Sequence, residues 1–283
     1  MKICVAVPYF NNIRTIYGCL DSILAGEEIP DELLLINDGS EVKPDLKNYK
    51  KVKLITHKKN LGLAAARNSA LNNTTSEVIF YFDADVLVDK SYLKRAVELF
   101  KTDKCDGIGG RAVENVITEA DRWRALFLKQ DFGEKPVRNI WMLNGLCSAY
   151  RVSALKKVGG FDPFFRTNGE DVDAGLRLGK AGYTLYYEPS LTVKHLRLDN
   201  PLKLSNAVYN HIYYAAEALK RNGVNRKNFY LSFSKKICSY FKYALSRRDF
   251  IIFLISIEAA NSIFRAIRKS SYKTQVDNEG EKI

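Results

Sequence analysis

A chain of 283 residues, 46% hydrophobic and 27% charged, has a globular composition and enough length for one large domain or two modest ones. Disordered and fibrous classes are excluded. The net charge of +12 is informative once located: its concentration toward the C-terminus predicts a tail facing an anionic partner, either a membrane surface or nucleic acid, with a solvated basic face as the bland alternative.

In chain order, "KICVAVPYF" (2–10) predicts a strand and "TIYGCLDSILAG" (15–26) a helix closed by Gly26. "DELLLINDGS" (31–40) is a second strand ending in a polar turn, and "VKLITHKKN" (52–60) a third. An alanine-rich helix, "LGLAAARNSALNNT" (61–74), leads to a fourth strand, "EVIFYFDAD" (77–85), and a helix, "KSYLKRAVELFKT" (90–102). Strands alternating with helices imply right-handed crossovers and a mostly parallel sheet covered on both faces. Residues 105–200 alternate less regularly. From Ala207 the pattern turns helical, and the last dozen residues from Tyr272 read as a frayed polar end.

Five scattered cysteines (Cys4, Cys19, Cys105, Cys147, Cys238) include no CxxC pair. That predicts reduced thiols in a cytoplasmic protein, with no disulfide framework and no zinc site. The N-terminal apolar run is too short for a signal peptide.

Polar clusters fall at the carboxyl ends of two strands, Asn37-Asp38 and Asp83 with Asp85, where ligands bind in parallel α/β sheets. Two carboxylates one residue apart repel unless solvated or neutralised. Asp83 and Asp85 therefore mark either a solvated strand-to-helix turn, with Asp85 or Asp89 as cap, or a hard-cation site for Mg2+ or Mn2+ shared with phosphate oxygens.

Further motifs follow in a fixed order: "VPYFNN" (7–12), "NDGS" (37–40), "NLGLAAARN" (60–68), "FDAD" (82–85), "NGLCSAYR" (144–151), "GGFDPFFRTNGEDVDAGLR" (159–177) and "VKHL" (193–196). Over residues 1–200 this series resembles the family 2 glycosyltransferases of GT-A fold. The resemblance implies an α/β fold with a mostly parallel, Rossmann-like central sheet flanked by helices, and here a helical C-terminal extension. It implies a nucleotide-sugar half over 1–104 and an acceptor-binding, catalytic half over 105–206, with a basic helical extension over 207–283. The implied activity is an inverting, metal-dependent transfer of a sugar from a nucleotide-diphosphate donor, UDP-linked, to a hydroxyl of a glycan, polysaccharide or glycolipid.

Residue by residue, the resemblance makes Asp38 the carboxylate facing the nucleotide base, with Pro8 and Tyr9 lining the same pocket. The family's usual pair of acids before Gly-Ser is Asn37-Asp38 here, so only the second is kept. An Asx turn is the structural alternative for Asp38. Arg67 falls near the diphosphate or pairs with the acids of the turn, while Gly62 serves backbone geometry. Asp83 and Ala84 lie beside the ribose, and Asp85 and His195 hold the Mn2+ or Mg2+ ion. Asp171 is implied as general base and Glu170 as its support or an acceptor contact, with Asp173 capping a helix that starts there. Trp141, Asn144 and Gly145 border the acceptor.

The C-terminal quarter carries the charge: from Ala216 to Ile283, 14 Lys and Arg stand against 6 Asp and Glu, a surplus of eight. In "SRRDFIIFLISIEAANSIFRAIRKS" (246–270), Phe250, Phe253, Leu254, Ile257, Phe264 and Ile267 fall on or near one helical face. The apolar run from Phe250 ends at Glu258, too short to span a bilayer. With "FSKKICSYFKYALSRR" (233–248), residues 233–270 predict either an interfacial helix on an anionic membrane, peripheral at its cytoplasmic face, or packing against the catalytic domain or a twin subunit as a homodimer. A nucleotidyltransferase is the rival enzyme reading, although "VPYFNN" is no phosphate loop. A nucleic-acid-binding protein is the rival binding reading, without a recognisable motif.

Overall fold

The computed structural model describes residues 1–102 and 105–280, without the side chains of residues 127, 233, 236, 237 and 270–280. The polar end expected to fray therefore lies, in its side chains and last three residues, outside the described residues. In chain order the elements are β1 (Ile3–Tyr9), α1 (Ile16–Leu24), β2 (Glu32–Asn37), β3 (Val52–Thr56), α2 (Leu63–Asn73), β4 (Val78–Phe82), β5 (Val86–Val88) and α3 (Tyr92–Thr102). They continue with β6 (Gly107–Glu114), α4 (Glu119–Phe127), β7 (Val137–Arg138), β8 (Cys147–Arg151), α5 (Val152–Lys157), α6 (Glu170–Lys180), β9 (Leu185–His195), α7 (Pro201–Arg221), α8 (Lys227–Arg247) and α9 (Phe250–Gly280).

Two compact units are present. The first, residues 1–115 and 130–197, holds one sheet in the order β3-β2-β1-β4-β8-β6-β9-β5, with β7 beside β9. β1, β2, β3 and β4 pair in parallel; β1, β2 and β4 are continuous apolar runs buried on both faces, whereas β3, at the sheet edge, stays partly exposed. β8 enters antiparallel between β4 and β6, and β5 lies antiparallel to β9. Parallel β6 and β9 shift register between Gly109 and Arg111. At Gly110 a Cβ would run into the backbone of Leu191, so the shift needs glycine there. This register sets Glu114 opposite His195 on one side, and β5 sets Val86 opposite His195 on the other.

Residues 116–129 and 198–283 form the second unit. Its core joins Trp123 of α4 to Leu204, Val208 and Ile212 of α7, Tyr240 of α8 and Ile252, Ile255 and Ile263 of α9. Arg124 pairs with Asp199 at 2.5 Å, and Thr118 with Asp121 makes a capping box at the start of α4. A division made in chain order keeps residues 119–127 with the 105–206 half. Packing instead gathers α4 with the C-terminal helices, because Trp123 finds its apolar partners there.

The expectation that no segment could span a bilayer is corrected by α9. Its stretch Phe250–Lys269 is long and apolar enough for that by length and composition, and 39% of the most apolar window is buried within the protein. The helix runs through Glu258 because that side chain is engaged, accepting from Ser205 and pairing with Arg265 at 3.3 Å.

Gly110→Ala should lower the unfolding free energy by about 1–3 kcal/mol, the usual cost of forcing atoms into packed space. A shifted urea midpoint at unchanged m-value is the expected reading; wild-type stability would show that β6 and β9 do not need the close approach.

Candidate active site

The turn after β4 carries Asp83 and Asp85, and each carboxylate has its own cation. Asp83 Oδ1 accepts from Arg67 Nη2 at 3.1 Å, and Asp85 Oδ2 lies 3.7 Å from His195 Nε2. Burial pushes the Asp83 carboxyl up, with Arg67 pulling against it and Asp85 adding to the rise. At Asp85 burial also works upward, but His195 and Arg197 outweigh it and hold the group below the ordinary carboxylate range. Ala84, between them, is buried in the core.

Arg67, on the alanine-rich α2, is 1% exposed. Its Nη1 donates to Glu170 Oε1 at 2.6 Å, and its Nη2 also donates to the Gly145 carbonyl at 2.9 Å. Tyr81 and Phe161 rings face the guanidinium at 5.8 and 5.6 Å. Burial opposes its charge, but Glu170, Asp83 and Asp171 keep it a cation.

Asp171 is reached through the same residue. The Gly145 N–H donates to Asp171 Oδ2 at 3.1 Å, and Val172 N–H donates to Oδ1 at 2.8 Å. A Cβ on Gly145 would meet Arg67 Nη2 at 3.0 Å and Asp171 Oδ2 at 3.2 Å. Glu170 and Asp171 are the first residues of α6, where the helix dipole favours anions. Asp171 keeps partial exposure, whereas Glu170 is 2% exposed, and burial drives its carboxyl up against the pull of Arg67. α6 starts at Glu170 behind a left-handed Gly169, three residues earlier than expected, and Asp173 is one of three acids in its first turn. It pairs with Arg177 at 2.6 Å.

His195 ends β9. Its Nδ1 donates to both Glu114 oxygens at 3.0 and 3.1 Å, which leaves Nε2 aimed toward Asp85. Burial lowers the imidazole pKa, but Asp85 and Glu114 outweigh it and raise the value from 6.5 to about 9. Imidazole and carboxylate at 3.7 Å are close enough for one divalent ion to touch both, and a carboxylate holding the second ring nitrogen is the usual support for a metal-ligating histidine. Among the described residues no three His, Cys, Asp or Glu side chains converge as a metal group. This pair fits an ion whose other positions are taken by phosphate oxygens and water.

Asp38, Pro8 and Tyr9, expected to line one pocket, are engaged within the protein. Asp38 is 3% exposed; its Oδ1 contacts His57 Nδ1 at 2.7 Å and accepts Leu61 N–H at 2.8 Å, while Oδ2 accepts Gly62 N–H at 2.8 Å. Asn37 shapes the same loop, its Oδ1 accepting the Ser40 N–H three residues on at 2.9 Å. Pro8 is buried, and buried Tyr9 donates its hydroxyl to the Val42 carbonyl. Gly62 (φ 99°) meets the Arg166 backbone, a contact that needs glycine. Trp141 is exposed and Asn144 buried; the Trp141 carbonyl lies against Gly175 of α6. Glu114, His57 and Ser69, which contacts His57 Nε2 at 2.8 Å, are partners that sequence reading did not name. Only sheet register and loop geometry deliver them.

A family model described as glycosyl transferase family 2 matches residues 4–159, more than half of the chain. A pre-mycofactocin glycosyltransferase of Mycobacterium tuberculosis is 27% identical over 227 residues, 76% of this chain and 46% of that relative. A poly-beta-1,6-N-acetyl-D-glucosamine synthase of Staphylococcus epidermidis is 26% identical over 64% of this chain and 46% of its own length. The chain thus spans about half the length of these curated relatives. A mannosyltransferase from Pyrobaculum calidifontis, solved with GDP-mannose and Mn2+, superposes with TM-score 0.59 at 17% identity, covering 98% of this chain and 79% of that one. The fold is GT-A.

A histidine pKa raised on folding stabilises the protein fully below pH 6.5, and the contribution is lost as pH rises toward about 9. Glu170 acts in the same direction at lower pH, so a variant comparison is needed. Metal-free wild type should lose up to about 3 kcal/mol more across this window than His195→Gln, read from denaturant midpoints at each pH. Parallel curves for the two proteins would refute it.

Proposed function

The chain belongs to glycosyl transferase family 2, and from that premise we propose that it transfers a sugar, with inversion, from a nucleotide-diphosphate donor to a hydroxyl of a glycan, polysaccharide or lipid-linked acceptor. What carries the reading is the Asp171 carboxylate, partly exposed, oriented by two backbone N–H groups, and linked through Gly145 and Arg67 to the Asp83-Asp85 turn.

In this reading residues 1–104 bind the donor, taken as UDP-linked, and 105–206 serve the acceptor and the chemistry. Asp83 meets the ribose side. Arg67, buried with its Nη1 and Nη2 engaged by Glu170, Asp83 and Gly145, acts on the nucleotide by holding Asp83 rather than by contact. Asp38 acts through the turn it pins at Leu61 and Gly62, over a floor made by Pro8 and Tyr9, with the backbone of Ala84 completing the donor side. Asp85 and His195 would hold Mn2+ or Mg2+, which when bound supplies Lewis-acid neutralisation of the leaving diphosphate. Asp171 accepts the acceptor hydroxyl proton as the new C–O bond forms on one face of the sugar and the bond to diphosphate breaks on the other. Glu170 stands behind Asp171 as support, being buried against Arg67. Trp141 offers an exposed indole on which an acceptor sugar could stack, beside Asn144 and Gly145. The partners are the donor, the acceptor and, through residues 233–270, an anionic membrane surface on the cytoplasmic side.

Asp171→Asn should fold and keep the thermal shift produced by UDP plus Mn2+, while transfer drops roughly 100- to 10,000-fold; near-wild-type turnover removes Asp171 as base. Asp85→Ala should abolish the Mn2+-dependent part of that shift, as EDTA should in wild type. A panel of UDP-, GDP- and TDP-sugars read the same way tests the nucleotide, and a shift indifferent to metal counts against the Asp85 site.

A further inference from the structure

α9 has two unlike faces. Ile252, Ile255, Ala259, Ile263 and Ala266 are buried in the helical unit's core, whereas Phe250, Ile251, Leu254, Ile257 and Phe264 are exposed, Phe250 by 70% and Phe264 by 66%. At 100° per residue, Phe250, Leu254, Ile257, Phe264 and Arg268 fall within an arc of roughly 80°, along about 27 Å of helix. Exposed Arg247 and Arg248 precede this stripe, and exposed Arg265, Arg268 and Lys269 end it. Between Arg247 and Lys269 the acids are Asp249 and Glu258, both partly buried and engaged. Asp249 accepts the Ile252 N–H, and Glu258 binds Ser205 and Arg265. On α8, a groove lined by Ser234, Lys235, Cys238, Ser239 and Lys242 adds two more cations with hydroxyls beside them.

We infer that the α9 stripe docks the protein on an anionic bilayer, lying flat in the interface with its apolar middle among acyl chains and its arginine ends among headgroups. The inference refines the reading of residues 233–270 as membrane-facing and does not depend on sugar transfer. An apolar centre between cationic ends is complementary to acidic lipid. It is poorly complementary to itself, since a two-fold pairing of stripes brings arginines against arginines whether the helices run parallel or antiparallel. A crossing orientation would strip Ile252, Ile255 and Ile263 from their partners and carry the Ser205–Glu258–Arg265 network into hydrocarbon. The one-sided burial of α9 therefore selects the flat orientation over the spanning one that its length permits.

The test is flotation of the intact protein with vesicles of phosphatidylcholine alone or mixed with phosphatidylglycerol. Binding to the acidic vesicles only, weakened by salt, is expected. The double variant Leu254→Glu, Ile257→Glu should lose at least tenfold in binding at unchanged melting temperature, and Arg247→Glu with Arg268→Glu should lose as much. A fluorophore on Asn261→Cys, in a Cys238→Ser background, should be quenched by shallow rather than deep lipid spin labels. Light scattering of the lipid-free protein should give a monomer. No flotation of wild type, or a dimer that the Leu254 and Ile257 changes dissociate, overturns the inference. So does equal binding to heparin with no effect of the glutamates, and so does quenching at the bilayer centre.

Discussion

A guanidinium sealed inside the protein governs the candidate site. Arg67 lies between Asp83 and Glu170 with almost no solvent contact, and an uncompensated charge in that position would cost several kcal/mol. Its charge is therefore tolerated only while the strand-end turn, the loop at Gly145 and the start of α6 stay where they are. Three segments distant in sequence are fixed to one another by one side chain. The carboxylate that stays partly exposed, Asp171, takes its orientation from that assembly through Gly145, where an added Cβ would crowd both Arg67 and Asp171.

On the other side of the turn, the balance is made by a strand. His195 brings a cation to Asp85, and it can do so because β9 runs between β6 and β5, with Glu114 across one pairing and Val86 across the other. Two acids one residue apart thus sit in different fields, Asp83 pushed up and Asp85 held down. That separation of carboxylate environments is how neighbouring acids come to carry different tasks.

Legibility followed local signal strength. β1, β2 and β4 are continuous apolar runs that read as buried parallel strands, and α1, α2 and α3 have the spacing or composition of helices. β5 is three residues long, β7 two, and β6 begins as "GIGG". Such segments carry little β-propensity of their own and pair because their neighbours leave open edges. The spanning length of α9 escaped the sequence because Glu258 interrupts the apolar run, and only Ser205 and Arg265 show how that acid is accommodated. Asp38 read as the carboxylate facing a nucleotide base or as a turn-shaping residue; the fold adds His57 and two backbone donors around it, which no local pattern announced.

The order of motifs along the chain determined the family, the sheet-end location of the acids and the basic, amphipathic character of the C-terminal helices, since those are properties of spacing and composition. Which cation serves which acid, what orients Asp171, where α4 packs and which face of α9 meets solvent were decided by tertiary structure alone. Each depends on contacts between residues tens of positions apart, and a linear pattern holds no record of such distances until the chain has closed on itself.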